Sequence, residues 1–315
     1  MTTIKAVRIH NFDGIDQIRY EDIPCPEPGP DEVLIRVYAA GVNPVDWQLT
    51  QGINQEFLQR TLPTVPGFEV AGVVEKTGSA VTTLAPGDAV YGHVDFRYDG
   101  SFAEYMVSAE DRLVPKPTNL DYVEAAAVPV AALAAWTALF DPEGINLKAG
   151  QTVLITAAAG GVGTFAVQFA KWAGARVIAT GSAHSRDFLL DLGADVFIDY
   201  HTQSLDAVGL IDAALDAVGE QTQLDCLAAI RPAGVLASLV GEQWGEPTLR
   251  PDVKKFVVHG GFYPQQLADI TPLLESGEVR PIISQVFPLS AVKDALALSS
   301  SGHVRGKIVL SVDGQ

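Results

Sequence analysis

The sequence predicts a chain of two domains: a small, turn-rich all-β domain, and an α/β domain built on a doubly wound parallel sheet. Three observations predict it. Short runs of Val, Ile and Ala, punctuated by proline and glycine, fill residues 1–120. Strand and helix patterns alternate from about residue 150 to residue 276. At the head of that alternation stands QTVLITAAAGGVGTFAVQFAKWAGARVIATG, Gln151–Gly181, which reads as a strand–turn–helix–strand unit.

Taken in order, Ile4–Ile9, Glu32–Ala39, Gly67–Lys76 and Asp88–Val90 are predicted strands. Turns at Pro28-Gly29-Pro30, Pro66-Gly67 and Pro86-Gly87-Asp88 separate them. Val123–Leu139 is alanine-rich with helical spacing. Further strands are expected at Val153–Ile155, Val177–Ala179, Val196–Ile198, Asp212–Ala217, Val235–Leu239 and Phe256–Gly260, with helices at about 185–192, 221–230 and 265–276. After Gly277 the texture changes again: strand Pro281–Phe287, helix Ala291–Ser299 and strand Lys307–Val312 complete the chain. The expected domains are 1–122 with 278–315, and 123–277.

At 315 residues, 48% hydrophobic and 19% charged, the chain carries enough apolar sequence for two cores. A net charge of −17 argues against a nucleic-acid footprint or an anionic membrane surface. Cys25 and Cys226 lie too far apart in sequence for a disulfide framework or a cysteine-rich zinc site. No signal pattern or apolar run of membrane length is visible; Ala125–Leu139 is too short and holds Pro129. A cytoplasmic protein is expected.

The turn Ala157-Ala158-Ala159-Gly160-Gly161-Val162-Gly163 has no bulk. Backbone N–H groups there can approach an anion, and the following helix start adds partial positive charge. Pyrophosphate is the ligand such a turn suits, so Ala158, Gly160, Gly161, Val162 and Gly163 are expected at a dinucleotide. Glycine in a tight strand–helix turn also has a purely steric explanation. Gly160→Val or Gly163→Val is expected to abolish cofactor binding, with the fold surviving if the turn relaxes. At the end of the second strand, where NAD sites place a carboxylate on the ribose, stand Gly181 and Ser182, with Arg186 close behind. This favours NADPH, whose 2′-phosphate a cation and a hydroxyl can hold. Taken alone, Arg186 is as readily a solvated first-turn residue.

Six stretches carry a family resemblance: Gly41-Val42-Asn43-Pro44-Val45-Asp46, Val65-Pro66-Gly67-Phe68-Glu69-Val70-Ala71-Gly72, Pro86-Gly87-Asp88, Gly100-Ser101-Phe102-Ala103-Glu104-Tyr105, Ala157–Gly163 and Gly302-His303-Val304-Arg305-Gly306-Lys307. The chain resembles the medium-chain dehydrogenase/reductase family, in its zinc-free quinone oxidoreductase (ζ-crystallin-like) branch. The resemblance implies a GroES-like β-barrel catalytic domain, a Rossmann domain, and an active site in the cleft between. Where the zinc-dependent branch carries its ligands, this chain has Asn43, Phe68 and a position near Val130. None of these makes a catalytic zinc site. Zinc-free hydride transfer from NADPH to quinones or α,β-unsaturated carbonyls is the implied chemistry, with orientation and electrostatics as the protein's contribution.

The resemblance places Asn43 near the nicotinamide, where its amide meets ribose or a substrate oxygen, although a plain turn before Pro44 explains it too. Asp46 is expected to orient its neighbours. Gln48 and Asn54 replace tyrosines of some relatives; Tyr263 or His93 is a candidate donor in their stead, or either is structural, the reading that comes first for a lone histidine. Ala134 replaces a threonine. Tyr200 matches a tyrosine bordering the 2′-phosphate, joining Ser182 and Arg186. Val218 and Val240 close later strands and are expected to flank the nicotinamide ribose. Glu242–Val253 is short for the family, and an exposed Trp244 either lines the pocket or covers core. A homodimer through the Phe256–Gly260 edge is expected, as family members often pair there. The alternatives are an NADPH-binding structural or sensing protein with little catalysis, and a zinc alcohol dehydrogenase, which metal analysis of the pure protein would reveal.

Overall fold

The structure, a computed structural model, describes residues 2–53, 55–95, 98–246, 248–258 and 264–312. Tyr263 and Asn54 lie outside the described residues, as do the last two positions of the expected strand Phe256–Gly260.

The chain divides into two compact units, one of residues 1–130, 262–277 and 281–315, the other of residues 131–261 and 278–280. In the first, a sheet runs in the order Ile283–Pro288, Lys307–Ser311, Glu32–Val42, Glu69–Thr77, Ala89–His93, Leu113–Pro115. Tyr105–Ala109 adds to Glu32–Val42, and Thr3–Arg8 pairs with Arg19–Pro24. Its pairings are antiparallel apart from Ile283–Pro288 against Lys307–Ser311. Alternate side chains of these strands point inward. Ile35, Val70, Phe68, Phe102 and Leu310 fill the core and are at most 0% exposed. Burying each contributes about 1.5–3 kcal/mol.

Two helical segments join this unit rather than the α/β one. Helix Tyr122–Ala126 packs on the strands Glu32–Val42 and Glu69–Thr77. Its close approach needs Gly41, where a side chain would run into the Ala126 carbonyl and the Glu69 carboxylate. Helix Pro264–Glu275 is tied to the same unit through Glu275, which accepts from both the N–H and the hydroxyl of Thr118 at 3.0 Å. Thr271 bonds the Tyr91 hydroxyl at 2.9 Å. The expected limits at 122/123 and 277/278 rested on a change of texture, which cannot see which sheet a helix packs against.

The second unit holds a parallel sheet in the order Val196–Asp199, Arg176–Gly181, Thr152–Ile155, Ile211–Asp216, Ile230–Ser238, Lys254–Val257. Both faces are covered, which is why its inner strands read as continuous apolar runs. The order reverses beside Thr152–Ile155, and ligands bind outside the strand ends at such a switch point. Trp244 is 6% exposed and belongs to the core with Leu154, Ala214 and Leu236. The expectation of an exposed Trp244 is corrected: its ring covers core.

Most boundaries shift by one to three residues. The apolar stretch 123–139 splits into Tyr122–Ala126 and Pro129–Phe140, because Pro129 lacks the N–H an unbroken helix would need. Helix Pro44–Thr50 is an addition, started by Pro44 at its first position and by Asp46, which accepts the Asn43 N–H at 2.7 Å.

Candidate active site

The first part of the site is the start of helix Gly161–Trp172 in the second unit. The turn ahead of it is built from its own backbone. Gly160 N–H donates to the Ala157 carbonyl at 2.9 Å, and Ala158 N–H donates to Thr180 at 3.1 Å. Ala158 is fully buried, so the structure places it inside the turn rather than on the anion-facing side. Thr164 N–H returns to Gly160 at 2.9 Å. Among the described residues the N–H groups of Gly161, Val162 and Gly163 therefore remain as the helix's open donors, with no side-chain cap. A small-residue turn with three open N–H groups at the positive end of a 12-residue helix fits a pyrophosphate.

The two outer glycines serve different ends. A Cβ on Gly160 would meet only the Ala157 carbonyl, at 3.2 Å, so a longer side chain there would reach into open space. A Cβ on Gly163 would lie 2.5 Å from the Ala157 oxygen and 2.6 Å from the Ala158 Cα, inside the backbone of the turn. The relaxation that the expectation called for is thus needed at Gly163, where backbone must move, and not at Gly160.

At the end of strand Arg176–Gly181, Gly181 is buried, and a Cβ would press on Leu189, Phe197 and Ser185 at 3.2–3.4 Å. A carboxylate does not fit there without displacing core. Ser182 is half-buried, while Arg186 and Tyr200 are exposed. The Arg186 guanidinium lies 5.7 Å from the Phe197 ring centroid. The Tyr200 ring packs against His201 with centroids 4.2 Å apart and planes tilted by 44°, and the Tyr200 backbone N–H donates to the Gly181 carbonyl at 3.3 Å. His184 and His201 are exposed in the same short segments. Sequence reasoning passed over both; two histidines flanking a strand end without a carboxylate are the signal that was available.

Val218 and Val240, 51% and 38% exposed, sit just past strands Ile211–Asp216 and Ile230–Ser238. Their N–H groups turn inward, Val218 to Asp216 Oδ1 and Val240 to Ser238 Oγ, each at 3.2 Å. Asp216 Oδ2 also accepts from Gly219 N–H at 3.0 Å and from Gln223 at 3.1 Å. Gln223 donates on to Ser238 at 2.9 Å, and Thr156 donates to Asp216 Oδ1 at 3.0 Å. Thr156, Asp216, Gln223 and Ser238 are all 0% exposed. This network holds both strand-end turns, and it was missed because its members are spread over residues 156–238.

In the first unit Asn43, 5% exposed, stands before helix Pro44–Thr50. Its Oδ1 accepts from Lys307 Nζ at 2.6 Å, and its Nδ2 donates to Glu69 Oε1 at 2.8 Å. Lys307 and Glu69 are themselves paired at 2.7 Å, with side chains 4% and 0% exposed. Lys307 also donates to the Val42 carbonyl at 3.2 Å, and Glu69 Oε2 accepts from Val130 N–H at 2.8 Å. Asn43 is thus held in a buried ion pair and is more than a turn residue. Lys307 and Glu69 were quoted above only as parts of motifs.

Asp46 is fully buried; its oxygens accept from Asn43 N–H at 2.7 Å and Gly67 N–H at 3.0 Å. Burial pushes its pKa up to about 7 against the pull of those bonds. His93, 4% exposed, is pushed down to about 4 by burial and by Arg112 nearby, so at pH 7 it is neutral, with one ring N–H. Gln48 is half-buried on helix Pro44–Thr50, and Ala134 half-buried on Pro129–Phe140.

The donor set does not fit a catalytic zinc. The three relevant positions hold a carboxamide already bonded on both sides, the core ring of Phe68 and the aliphatic Val130. Among the described residues no three His, Cys, Asp or Glu side chains cluster so as to hold a metal ion.

Residues 29–118 match the alcohol dehydrogenase GroES-like domain, and residues 192–310 match the family described as zinc-binding dehydrogenase. The NADPH-dependent alkenal/one oxidoreductase, chloroplastic, of Arabidopsis thaliana is 35% identical over 319 residues, covering 98% of this chain and 79% of that protein. A chloroplast envelope quinone oxidoreductase homolog from the same plant is 34% identical, over 94% of each chain. The solved structure of the quinone oxidoreductase from Coxiella burnetii superposes with a TM-score of 0.93 at 32% identity, covering 99% of this chain and all of that one.

Proposed function

The chain belongs to the medium-chain dehydrogenase/reductase family, and from that premise we propose that it reduces quinones or α,β-unsaturated carbonyls with NADPH and without a metal. The observation that carries the cofactor half is the open trio of N–H groups at Gly161–Gly163, set beside a strand end where Gly181 leaves no room for a carboxylate. Bound NADPH supplies a hydride from its nicotinamide C4, which a conjugated alkene or a quinone accepts without a Lewis acid. The chain's part is to hold and orient. Gly161–Gly163 bind the pyrophosphate, while Ser182, Arg186 and Tyr200 receive the 2′-phosphate. The turns at Val218 and Val240 border the nicotinamide ribose. Asn43 meets the substrate oxygen on which negative charge develops. The proton that completes reduction comes from solvent or from a hydroxyl; Tyr263 is proposed for that part. The enzyme works as a homodimer in the cytoplasm in this reading. Among the described residues no helix is long and apolar enough to cross a membrane.

The test is NADPH oxidation followed at its absorbance band with a panel of quinones and enones. Turnover of at least one class, with NADH markedly poorer, is expected. Tight NADPH binding with no turnover of any member would replace this reading with a binding or sensing role.

A further inference from the structure

We propose that Lys307 and Glu69 are positioning residues that turn Asn43 into a fixed, charge-backed hydrogen-bond donor for the substrate's carbonyl oxygen. The inference rests on the enone and quinone reductase reading and assigns roles within it.

The Lys307 ammonium has three N–H donors and no acceptor. All three meet an oxygen: Val42 O at 3.2 Å, Asn43 Oδ1 at 2.6 Å and Glu69 Oε1 at 2.7 Å. Glu69 Oε1 accepts in turn from Asn43 Nδ2 at 2.8 Å. Lys307, Glu69 and Asn43 therefore close a ring. That ring decides which way the carboxamide faces, a choice usually left to inference. Oxygen must face the ammonium and nitrogen must face the carboxylate; the flipped amide would set N–H against N–H and O against O.

The consequence concerns what is left over. Asn43 Nδ2 has two hydrogens, and the ring uses one. The other has no partner among the described residues. Toward a ligand, Asn43 therefore offers a donor. The ammonium on the carbonyl side draws electron density away from nitrogen, the carboxylate on the first N–H returns part of it, and together they fix the direction of the remaining N–H. Burial of the pair, 3% exposed for Lys307 and 0% for Glu69, keeps water from screening that effect. A donor fixed before the reaction, aimed at an oxygen that gains charge as hydride adds, stabilises the transition state more than the ground state.

The ring also has a structural reading, and the test separates the two. Single removal of either charge leaves the other buried and uncompensated, so the informative variant is the pair Lys307→Met with Glu69→Gln. With NADPH and an enone, we expect this variant to lose about ten- to hundredfold in kcat, with KM and the NADPH dissociation constant within about twofold. Asn43→Ala should cost a similar factor in the wild type and little more in the paired variant. Lys307→Arg, which keeps the charge, should recover much of the rate. A folded paired variant at wild-type kcat would overturn the proposal, as would Asn43→Ala retaining its full cost in that background. A second measurement needs neither a variant fold nor turnover. In wild type labelled with [15N]asparagine, with the Asn43 signals identified by their loss in Asn43→Ala, a saturated ketone added with NADP+ should shift one side-chain amide proton and leave the Glu69-bonded one in place. Two unmoved protons would overturn the assignment. A shift without any turnover of enones or quinones would uphold the donor and sink the reductase reading.

Discussion

Asp46 shows how a single residue ties the fold to pH. Its carboxyl is raised to about 7 in the folded chain, chiefly by burial, against about 3.9 when unfolded. A group raised on folding contributes stability that is full below the unfolded value and lost as pH rises through the folded one. The wild type should therefore lose stability relative to Asp46→Asn between about pH 4 and pH 7, with the difference level above about pH 8. Denaturant unfolding of both proteins across that range measures it. A difference independent of pH would show that Asp46 is ionised throughout, held so by the N–H groups of Asn43 and Gly67.

Arg186 sits at the same scale with opposite surroundings, since it is exposed and rests near the Phe197 ring at 5.7 Å. Water weakens each of its contacts, so it can set a preference without creating affinity alone. Wild type should bind NADPH about tenfold to a hundredfold more tightly than NADH. Arg186→Ala should weaken NADPH binding and barely affect NADH, and the wild-type preference should shrink as salt rises. Dissociation constants for both cofactors at low and high salt decide this. Equal affinities in the wild type would show that the strand end does not select.

Among the elements, the turn before helix Gly161–Trp172 separates two uses of glycine. Gly160→Val places its branches in open space before the open N–H groups. That variant should fold with stability changed by about 1 kcal/mol or less and bind neither cofactor. Gly163→Val drives its Cβ to 2.6 Å from the Ala158 Cα, so it should destabilise by about 3 kcal/mol or more, as an overpacked core does. Thermal unfolding beside cofactor titration tells them apart. If both variants melt like wild type, the turn has slack that its geometry denies. Of the two uses, the anion-facing one was legible in the string of glycines. The steric one needed the position of the Ala157 carbonyl, because nothing in the string says which glycine the backbone folds over.

For the whole molecule, strand Lys254–Val257 is one of the two edges of the parallel sheet. Lysines on an edge ordinarily discourage pairing with another chain. Here Lys254 is drawn to Glu143 at 3.5 Å and Lys255 to the Leu249 carbonyl, both within the same unit. A homodimer through this edge is expected, with both lysines engaged inside their own unit. Sedimentation at micromolar concentration should return the mass of two chains, and proline at Phe256, which removes an N–H from the strand, should shift it toward one. A single-chain mass for the wild type would end the idea. A charge of −17 opposes association of two copies by repulsion, so the dimer should tighten with added salt.

By itself the sequence determined the two classes of domain, the alternation of strands and helices in the second, and the position of the small-residue turn before helix Gly161–Trp172. These follow from periodicity, glycine placement and alternation, which act over a few residues and survive any packing. It also showed that Asn43, Phe68 and Val130 are not zinc ligands, since residue type alone settles donor chemistry. Tertiary structure decided what those residues do instead. Lys307 reaches Glu69 across 238 positions and Asn43 across 264, because strand Lys307–Ser311 pairs with strand Glu32–Val42. The Asp216 network closes only when the ends of three parallel strands and a helix meet. The partner of a buried charge is chosen by how strands pair, and strand pairing depends on the free energy of the whole core rather than on any local run of residues.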